Sequence, residues 1–597
     1  MIPGYNLQGL DVDLSAARLT KFAIEDAVYE NYLGGRGVGT YFLKKLLSPT
    51  TDTLSTENII IFSTGGLSGS LSPAGGRFSV TFKSPLTETI SSANSGGFWG
   101  NTFKRTGYDI CIIRGKASGP VYLYISENRI DLIECKNLWG ESIPYITDYL
   151  KQVHSRSARI LGIGIAGEKQ VRYAAIMNDY NRAAGRGGGG AVMGSKYLKA
   201  IVVEGKKRFT PKNEGLYQTG LYQARKLIKN LPVTSRALPD LGTAGLVKLI
   251  HTHDMLPRNN FMDVRHKESD IEKISGEALR EKILVKSTGC YNCTIRCGRG
   301  TKVDQKTGEG PEYETLGMMG ANLGIYCLEE IARANYLCNE LGLDTISFGG
   351  SVALAMELFE KGIIDANVTG DFNLKFGASN ILEKLVELTA SREGFGDIIA
   401  DGALRMGQKY KAPELAMVVK GMELPAYDPR ASLLQSLGYA TSPRGGCHLK
   451  GGYAVCLGFF GGSKEVHRFL VDTAAGHNVN AQDSGCIMDA LGACRFLSYS
   501  VGDGEMARIF SGFTGLDFGP EDLTRAAQRI QNLERVFNNQ AGFTRKDDTL
   551  PRRMFTEKIN IGGYEYVIDE QQDFEKMLDK YYEIRDWDKN GAPKNIK

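Results

Sequence analysis

Residues 287–300, STGCYNCTIRCGRG, place Cys290, Cys293 and Cys297 in a C-x2-C-x3-C pattern. Three thiols so close together, between Gly289 and Gly298, point to metal binding and not to core filling. Zinc sites favour paired C-x2-C units, and no second pair or nearby histidine completes one here. An iron–sulfur cubane takes three close thiolates and a remote fourth. The order is also the reverse of the C-x3-C-x2-C typical of radical-SAM enzymes. Cys447, Cys486 and Cys494 are candidates for the remote ligand, and spacing alone does not choose among them. Cys111, Cys135, Cys327, Cys338 and Cys456 stand singly and read as small buried hydrophobes.

Other segments offer acid–base and anion-binding groups. In NRAAGRGGGGAVMGSK (181–196), Arg182 and Arg186 among glycine amides would make an anion cradle; the plainer alternative is a basic turn between strands. GPEYETLG (310–317) sets Glu312 and Glu314 around Tyr313. SPRGGCHLKGG (442–452) sets His448 between Arg444 and Lys450 in a glycine-rich loop, which makes it a candidate for proton work. GIGIAG (162–167) matches G-x-G-x-x-G, but the following residues start strand-like and reach a glycine run. The helix and the acidic residue about twenty positions on, which a dinucleotide site needs, are missing. GGRGVG (34–39) fails that pattern outright.

These groups need a sizeable scaffold, and 597 residues imply two to four domains. A net charge of +4 gives no reason to expect nucleic acid or a membrane surface, and it leaves room for a local basic patch. No stretch approaches the roughly 18 apolar residues of a spanning helix. Without a secretory signal, eleven cysteines imply a reducing, cytoplasmic setting. The 72 glycines fall in runs, a sign of backbone brought close to something bulky.

Up to about residue 207 the chain reads as strand and turn: NIIIFSTGGLSG, RFSVTFKS, YDICIIRGK, PVYLYISENRIDLIEC and LKAIVVEGKK. Beyond it EGLYQTGLYQARKLIKNL, SGEALREKILVKS, LEEIARANYLCNELGLD and SFGGSVALAMELFEKG read as helices. A Gly- and Pro-rich break near 418 precedes further helices, among them GPEDLTRAAQRIQNLERVF with Pro520 in its first turn. The expected division is 1–207, 208–418 and 419–597. No internal repeat stands out.

Taken in order over most of the chain, SANSGGFWG, NRAAGRGGGGAVMGSK, the cysteine motif, GPEYETLG, CNELGLDT, PRGGCHLKGG and DALGACRF resemble the tungsten-containing aldehyde:ferredoxin oxidoreductases. The resemblance implies an α+β fold, with an N-terminal β-rich base domain followed by two mainly α-helical domains. It implies a tungsten (or molybdenum) bis-pterin and a [4Fe–4S] cluster. The family's D-x-x-G-L-C loop matches Asp489–Cys494 (DALGAC), which singles out Cys494 as the fourth cluster ligand. Its sister loop D-x-x-G-L-D matches Asn339–Asp344 (NELGLD). Asn339 departs from the family's Asp and Ala493 from its Leu; an amide keeps an acceptor but loses the charge.

By the same resemblance, Asn94, Gly96, Arg182, Ala183, Gly185 and Arg186 would serve the pterin phosphates and their bridging Mg²⁺. Arg77 would lie between cluster and pterin, and Leu343, Asp344, Arg444 and Lys450 would make further pterin contacts. The E-x-x-H of some members, which binds an iron between subunits, is absent: Glu329 and Glu330 are followed by Ala332 and Arg333. That iron is not expected, and an oligomer remains possible. The implied activity is aldehyde oxidation, with Glu314 as the base activating water and His448 as the hydrogen-bond donor. Electrons would pass to ferredoxin or an iron–sulfur partner subunit. Reduction of a carboxylic acid or an aromatic acyl thioester, or a non-catalytic electron-transfer role, are the alternatives.

Overall fold

The computed structural model describes residues 2–370, 372–453 and 466–595. Cys456 therefore lies outside the described residues. The N-terminal part holds twelve strands in two six-stranded sheets. The first sheet comprises β1 (Gln8–Asp13), β2 (Arg18–Ala23), β3 (Ile60–Thr64), β4 (Phe78–Lys83), β5 (Ile90–Ser95) and β6 (Ile110–Arg114). The second comprises β7 (Val121–Ser126), β8 (Ile130–Glu134), β9 (Arg159–Gly162), β10 (Ile176–Asn178), β11 (Arg182–Ala184) and β12 (Leu198–Glu204).

Both sheets have one topology. The first runs β2-β1-β6-β3-β4-β5, and the second, read from its other edge, runs β8-β7-β12-β9-β10-β11. In each, the first and last strands pair in parallel, β1 with β6 and β7 with β12, and the other neighbours are antiparallel. A helix follows the opening hairpin in both, Gly35–Leu46 and Ile143–Val153. Another precedes the last strand, Trp99–Lys104 and Gly189–Ser195. The N-terminal part is thus a structural repeat, contrary to the sequence reading. Different side chains can meet the same burial pattern, so the repeat shows in topology and not in residue identity.

Inward residues of both sheets form one core, with Phe62, Phe78 and Val80 from the first and Leu123, Leu161 and Ile201 from the second. Trp99 is fully buried among them and donates its indole N–H to the Ile201 carbonyl at 3.2 Å. Strand β4 is buried on both faces, which explains its unbroken β-prone run. GIGIAG closes β9 and opens a helix of only four residues, Ile165–Glu168, beside antiparallel partners. No parallel βαβ unit forms there, so the rejected dinucleotide reading stays rejected.

The rest is mainly helical. Glu214–Asn230, Leu328–Leu341, Thr345–Glu360, Val471–Leu491 and Pro520–Gln540 are among its long helices, and Pro520 occupies the first helical position, as expected. One hydrophobic cluster joins Val247, Phe348, Leu437 and Met577, and a second takes in Leu221, Phe510 and Ile530. SGEALREKILVKS departs from the reading, since Gly276–Lys282 is helical but Leu284–Thr288 is strand β13. With β14 (Gly298–Val303) and β15 (Lys306–Glu309) it forms a small antiparallel sheet, and the cysteine loop is the connection from β13 to β14.

Two loops from the helical part close onto the repeat. Helices Leu328–Leu341 and Val471–Leu491 both end on a left-handed glycine, Gly342 (φ 79°) and Gly492 (φ 74°), the usual helix-stopping device. A Cβ on Gly65, just after β3, would lie 2.1 Å from the Gly492 amide nitrogen. A Cβ on Gly164, just after β9, would lie 2.3 Å from the Leu341 carbonyl. Each sheet therefore docks one loop through a glycine at the same place in its topology.

Candidate active site and cluster cavity

Cys290, Cys293, Cys297 and Cys494 line one small cavity with Gly76, Arg77, Arg182 and Phe496. Cys494 reaches it directly beyond Gly492, and its backbone N–H donates to the Ala74 carbonyl at 3.2 Å. Cys486 is instead buried in the helical core, where burial pushes its thiol up to about 12. Cys447 is buried against Arg444, which donates from Nε and Nη2 to its sulfur at 3.3 and 3.0 Å. Among the described residues, no three His, Cys, Asp or Glu side chains converge on a single metal ion. Four thiols around a cavity suit a cluster in which each iron takes one thiolate. Burial raises Cys293 to about 11 and Cys297 well above the usual thiol value, so a bound metal must displace their protons. A Cβ on Gly96 would lie 2.7 Å from the Cys290 sulfur, so the SANSGG glycine is required by close approach to this loop. Of the single cysteines, Cys111, Cys135 and Cys338 are buried as expected, but Cys327 is exposed at a helix start.

A second cavity, of about 200 Å³, meets the first at Arg77, Cys494 and Phe496. Asn94, Asp489, Glu312, Glu314 and His448 line it, with an apolar wall that includes Leu246, Tyr427, Leu449 and Tyr453. Arg77 bridges the cavities, donating to Asn94 Oδ1 at 2.6 Å and toward the Cys494 sulfur at 3.6 Å. Asn94 in turn donates to Asp489 at 2.5 Å. Lys450 pairs with Asp489, and Arg36 lies 3.4 Å from it while gripping Glu534 at 2.6 and 2.8 Å. Burial alone would raise Asp489, but Lys450 and Arg36 outweigh it and hold the carboxyl below its usual range. Arg36 and Glu534 were missed by sequence reasoning. Their signal was GGRGVG: a Cβ on Gly35 would lie 2.3 Å from the Asp489 carbonyl oxygen.

Glu314 lies within the short helical turn Tyr313–Thr315, and its Oε2 accepts the Ala426 N–H at 2.9 Å. Burial lifts its carboxyl to about 8, against the opposing pull of that N–H and of Arg186. Burial, with Arg186 and Arg444, drives the His448 imidazole well below its ordinary value. At neutral pH the pair is therefore an acid and a neutral ring, 3.6 Å apart, and not a salt bridge. Glu312 is half-buried and accepts from Thr243 Oγ1.

The remaining expected residues are spread around these cavities. Arg186 is buried and directs three of its N–H groups to Asp344 (3.2 Å), the Gly446 carbonyl (2.7 Å) and the Glu423 carbonyl (2.6 Å). Asp344 also caps the next helix by accepting from Ile346 and Ser347. Arg182 pairs with Glu309 beside the cysteine cavity. Ala183 is exposed on the edge strand β11, Gly185 has open space beside it, and Leu343 is buried. Asn339 lies in a separate cleft and donates to the Glu309 carbonyl at 3.3 Å, a bond that Asp could not make. Arg333, where the E-x-x-H histidine would have stood for Glu330, pairs with Glu383 at 2.7 Å.

The second cavity has the character of a cofactor and substrate site. Arg77 Nε, Glu314 Oε1 and His448 Nδ1 are buried without a hydrogen-bond partner among the described residues. Each such orphan costs about 1–3 kcal/mol, which a polar group bound in the cavity would offset. The residues present thus fit a polar, anionic cofactor beside a cubane.

The geometry places an acid and an imidazole beside a four-cysteine cavity. Comparison with known proteins gives the family. The model of the aldehyde ferredoxin oxidoreductase N-terminal domain matches residues 9–205, and that of its domains 2 and 3 matches 220–597. The tungsten-containing aldehyde ferredoxin oxidoreductase of Pyrococcus furiosus is 40% identical over 588 residues, covering 97% of this chain and 96% of that protein. The aliphatic sulfonate oxidoreductase WOR-like subunit of the same organism is 30% identical over 626 residues, covering 99% and 96%. The solved active site complex BamBC of benzoyl coenzyme A reductase, with 1,5-dienoyl-CoA, superposes with a TM-score of 0.84 at 25% identity, covering 99% of this chain and 96% of that one. The chain belongs to the aldehyde ferredoxin oxidoreductase family and is an oxidoreductase.

Proposed function

We propose that this chain oxidises an aldehyde to its carboxylic acid at a tungsten bis-pterin centre. Ferredoxin or an iron–sulfur partner subunit would take the electrons, with a [4Fe–4S] cluster as the outlet. The observation that carries this reading is the shared wall of Arg77 and Cys494 between the Glu314–His448 cavity and the cysteine cavity. Cys290, Cys293, Cys297 and Cys494 would hold the cluster. Arg77, Lys450 and Asp489 would hold one pterin, and Asn339, Leu343, Asp344 and Arg444 the other. Asn94, Gly96, Arg182, Ala183, Gly185 and Arg186 would serve the phosphates and their Mg²⁺.

When bound, the tungsten bis-pterin supplies a two-electron acceptor with Lewis acidity, and the cubane a one-electron outlet. Aldehyde and water give acid, two electrons and two protons. Ionised Glu314 takes a proton from the water whose oxygen forms the new C–O bond, and a carboxyl near 8 suits that task. The neutral His448 ring donates an N–H to the carbonyl oxygen as charge grows on it. Tyr427, Tyr453 and Leu246 form the apolar side of the cavity and limit water around the reacting carbon.

The test is analysis of the native protein for W, Mo, Fe and pterin, followed by dye-linked turnover of aliphatic and aromatic aldehydes. An aryl acyl thioester and an aliphatic sulfonate, the chemistries named for two relatives, run alongside. Aldehyde turnover with W, two pterins and a four-iron cluster is expected. Iron without W, Mo or pterin would reduce the chain to a relay, and turnover of the thioester or sulfonate alone would move it to another chemistry.

A further inference from the structure

Segment 205–236 carries eight Lys or Arg against the lone acid Glu214, a net +7 in a chain whose total is only +4. All eight cations are exposed. The charge is not spread at random over the surface. Helix Glu214–Asn230 lays Tyr217, Leu221, Ala224 and Ile228 into the same core as Ile295 of the cysteine loop, and Cys293 and Cys297 pack against that core. Between helix and cysteine loop runs the turn 70–74. Arg225 donates to the Leu71 carbonyl at 3.4 Å, Tyr217 Oη accepts the Leu71 N–H at 2.7 Å, and Asn292 donates to the carbonyls of Leu71 and Ser72.

Leu71 is 51% exposed at the centre of this surface. Tyr222, 67% exposed, shares one side of the helix with Arg225 and Lys229, at steps of three and four. A shallow depression lined by Ser70, Leu71, Arg105, Arg208 and Phe209 adjoins it. On the cysteine loop itself Asn292, Thr294 and Arg296 are exposed, while the three cysteines are only partly buried. The cluster cavity therefore lies beneath one layer of this loop.

We infer that this basic surface, centred on Leu71 and Tyr222 and rimmed by Arg208, Arg225 and Lys229, docks an acidic electron-carrier protein over the cluster. The inference rests on the redox reading above. It adds the place and the charge of the partner. Complementary charge steers encounter, and the two apolar side chains give the contact a dry centre. Each aldehyde yields two electrons, so a carrier that is reduced by one electron at a time would dock twice per turnover. A nucleic acid would satisfy the cations and could stack on Tyr222, but it would leave the aliphatic Leu71 without a role.

The experiment uses the holoenzyme and the triple variant Arg208→Glu/Arg225→Glu/Lys229→Glu. An acidic ferredoxin is the protein probe and a small viologen dye the neutral check. The expected result is that ferredoxin binding, measured directly by calorimetry, weakens by at least about tenfold in the variant. Binding to the wild type should weaken with added salt, and dye-linked turnover should be the same in both proteins. Equal ferredoxin affinity in variant and wild type, no salt dependence in the wild type, or stronger binding of an oligonucleotide than of ferredoxin would each overturn the docking proposal. Failure of the wild type to oxidise aldehydes with the dye would instead overturn the redox reading, and the binding measurement still decides the docking surface.

Discussion

The two sheets of the N-terminal part share one strand order, yet the loops docked on them are chemically unlike. Loop Asn339–Asp344 leaves its helix at Gly342 and loop Asp489–Cys494 at Gly492, both in the left-handed conformation. The following amides, Leu343 and Ala493, donate back to the helix at 2.8 Å in both. At the first position Asn339 offers only an amide to the Glu309 carbonyl, whereas Asp489 is a buried carboxylate held by Lys450, Arg36 and Asn94. At the last position Asp344 caps a helix and meets Arg186, while Cys494 opens onto the cluster cavity. One backbone device therefore serves two ends, and its neighbours decide which loop begins with an amide and which with a carboxylate held by cations.

The largest effect expected from this asymmetry is at its redox end. Cys494→Ser should strip or strongly deplete iron and abolish carrier-linked turnover, read by iron analysis and EPR. The mirrored change, Asp344→Asn, should leave iron in place. If both variants kept full iron, Cys494 would lose its place among the ligands.

Next come the two groups in the shared cavity. Glu314→Gln or His448→Asn should each lower aldehyde turnover by about 10²–10⁴-fold, measured at saturating aldehyde. Glu314 must be ionised to accept a proton, and its carboxyl is raised to about 8. Turnover should therefore climb as pH rises through about 8 and then level off. In Glu314→Gln the residual rate should lose that limb, and a limb that survives belongs to another group.

Smaller effects test the polar tether. Lys450→Met leaves buried Asp489 with one cation fewer and should cost about 3 kcal/mol, read as a lower midpoint in denaturant. Asn339→Asp in the sister loop replaces a donor with a carboxylate facing the Glu309 carbonyl and should cost nearer 1 kcal/mol. A larger loss at Asn339 than at Lys450 would reverse the ranking of the two first positions.

Much of this was legible along the chain because it is local. Dense β-prone runs marked β3, β4, β6, β7 and β12, and apolar spacing marked the helices Glu214–Asn230 and Leu328–Leu341. Strands β1, β2, β5 and β9 to β11 were not read. β5 is the polar run ISSANS, β10 and β11 are three residues each, and β2 is largely exposed, so apolar alternation is weak in them. By sequence β13 reads as the end of a helix, because LVKST follows EALREK without a turn signal.

By itself the sequence determined the three clustered thiols, the glycine stops of both loops and the acid and histidine types the cavity uses, since each depends on neighbours a few residues away. Only the tertiary structure decided which distant cysteine joins them. It also set Arg77 against Cys494 across 417 positions and Glu314 beside His448, and it buried that pair deeply enough to move both groups from their ordinary protonation ranges. Those outcomes depend on desolvation and on charges that come from separate sheets and helices, and burial is a property of the packed chain.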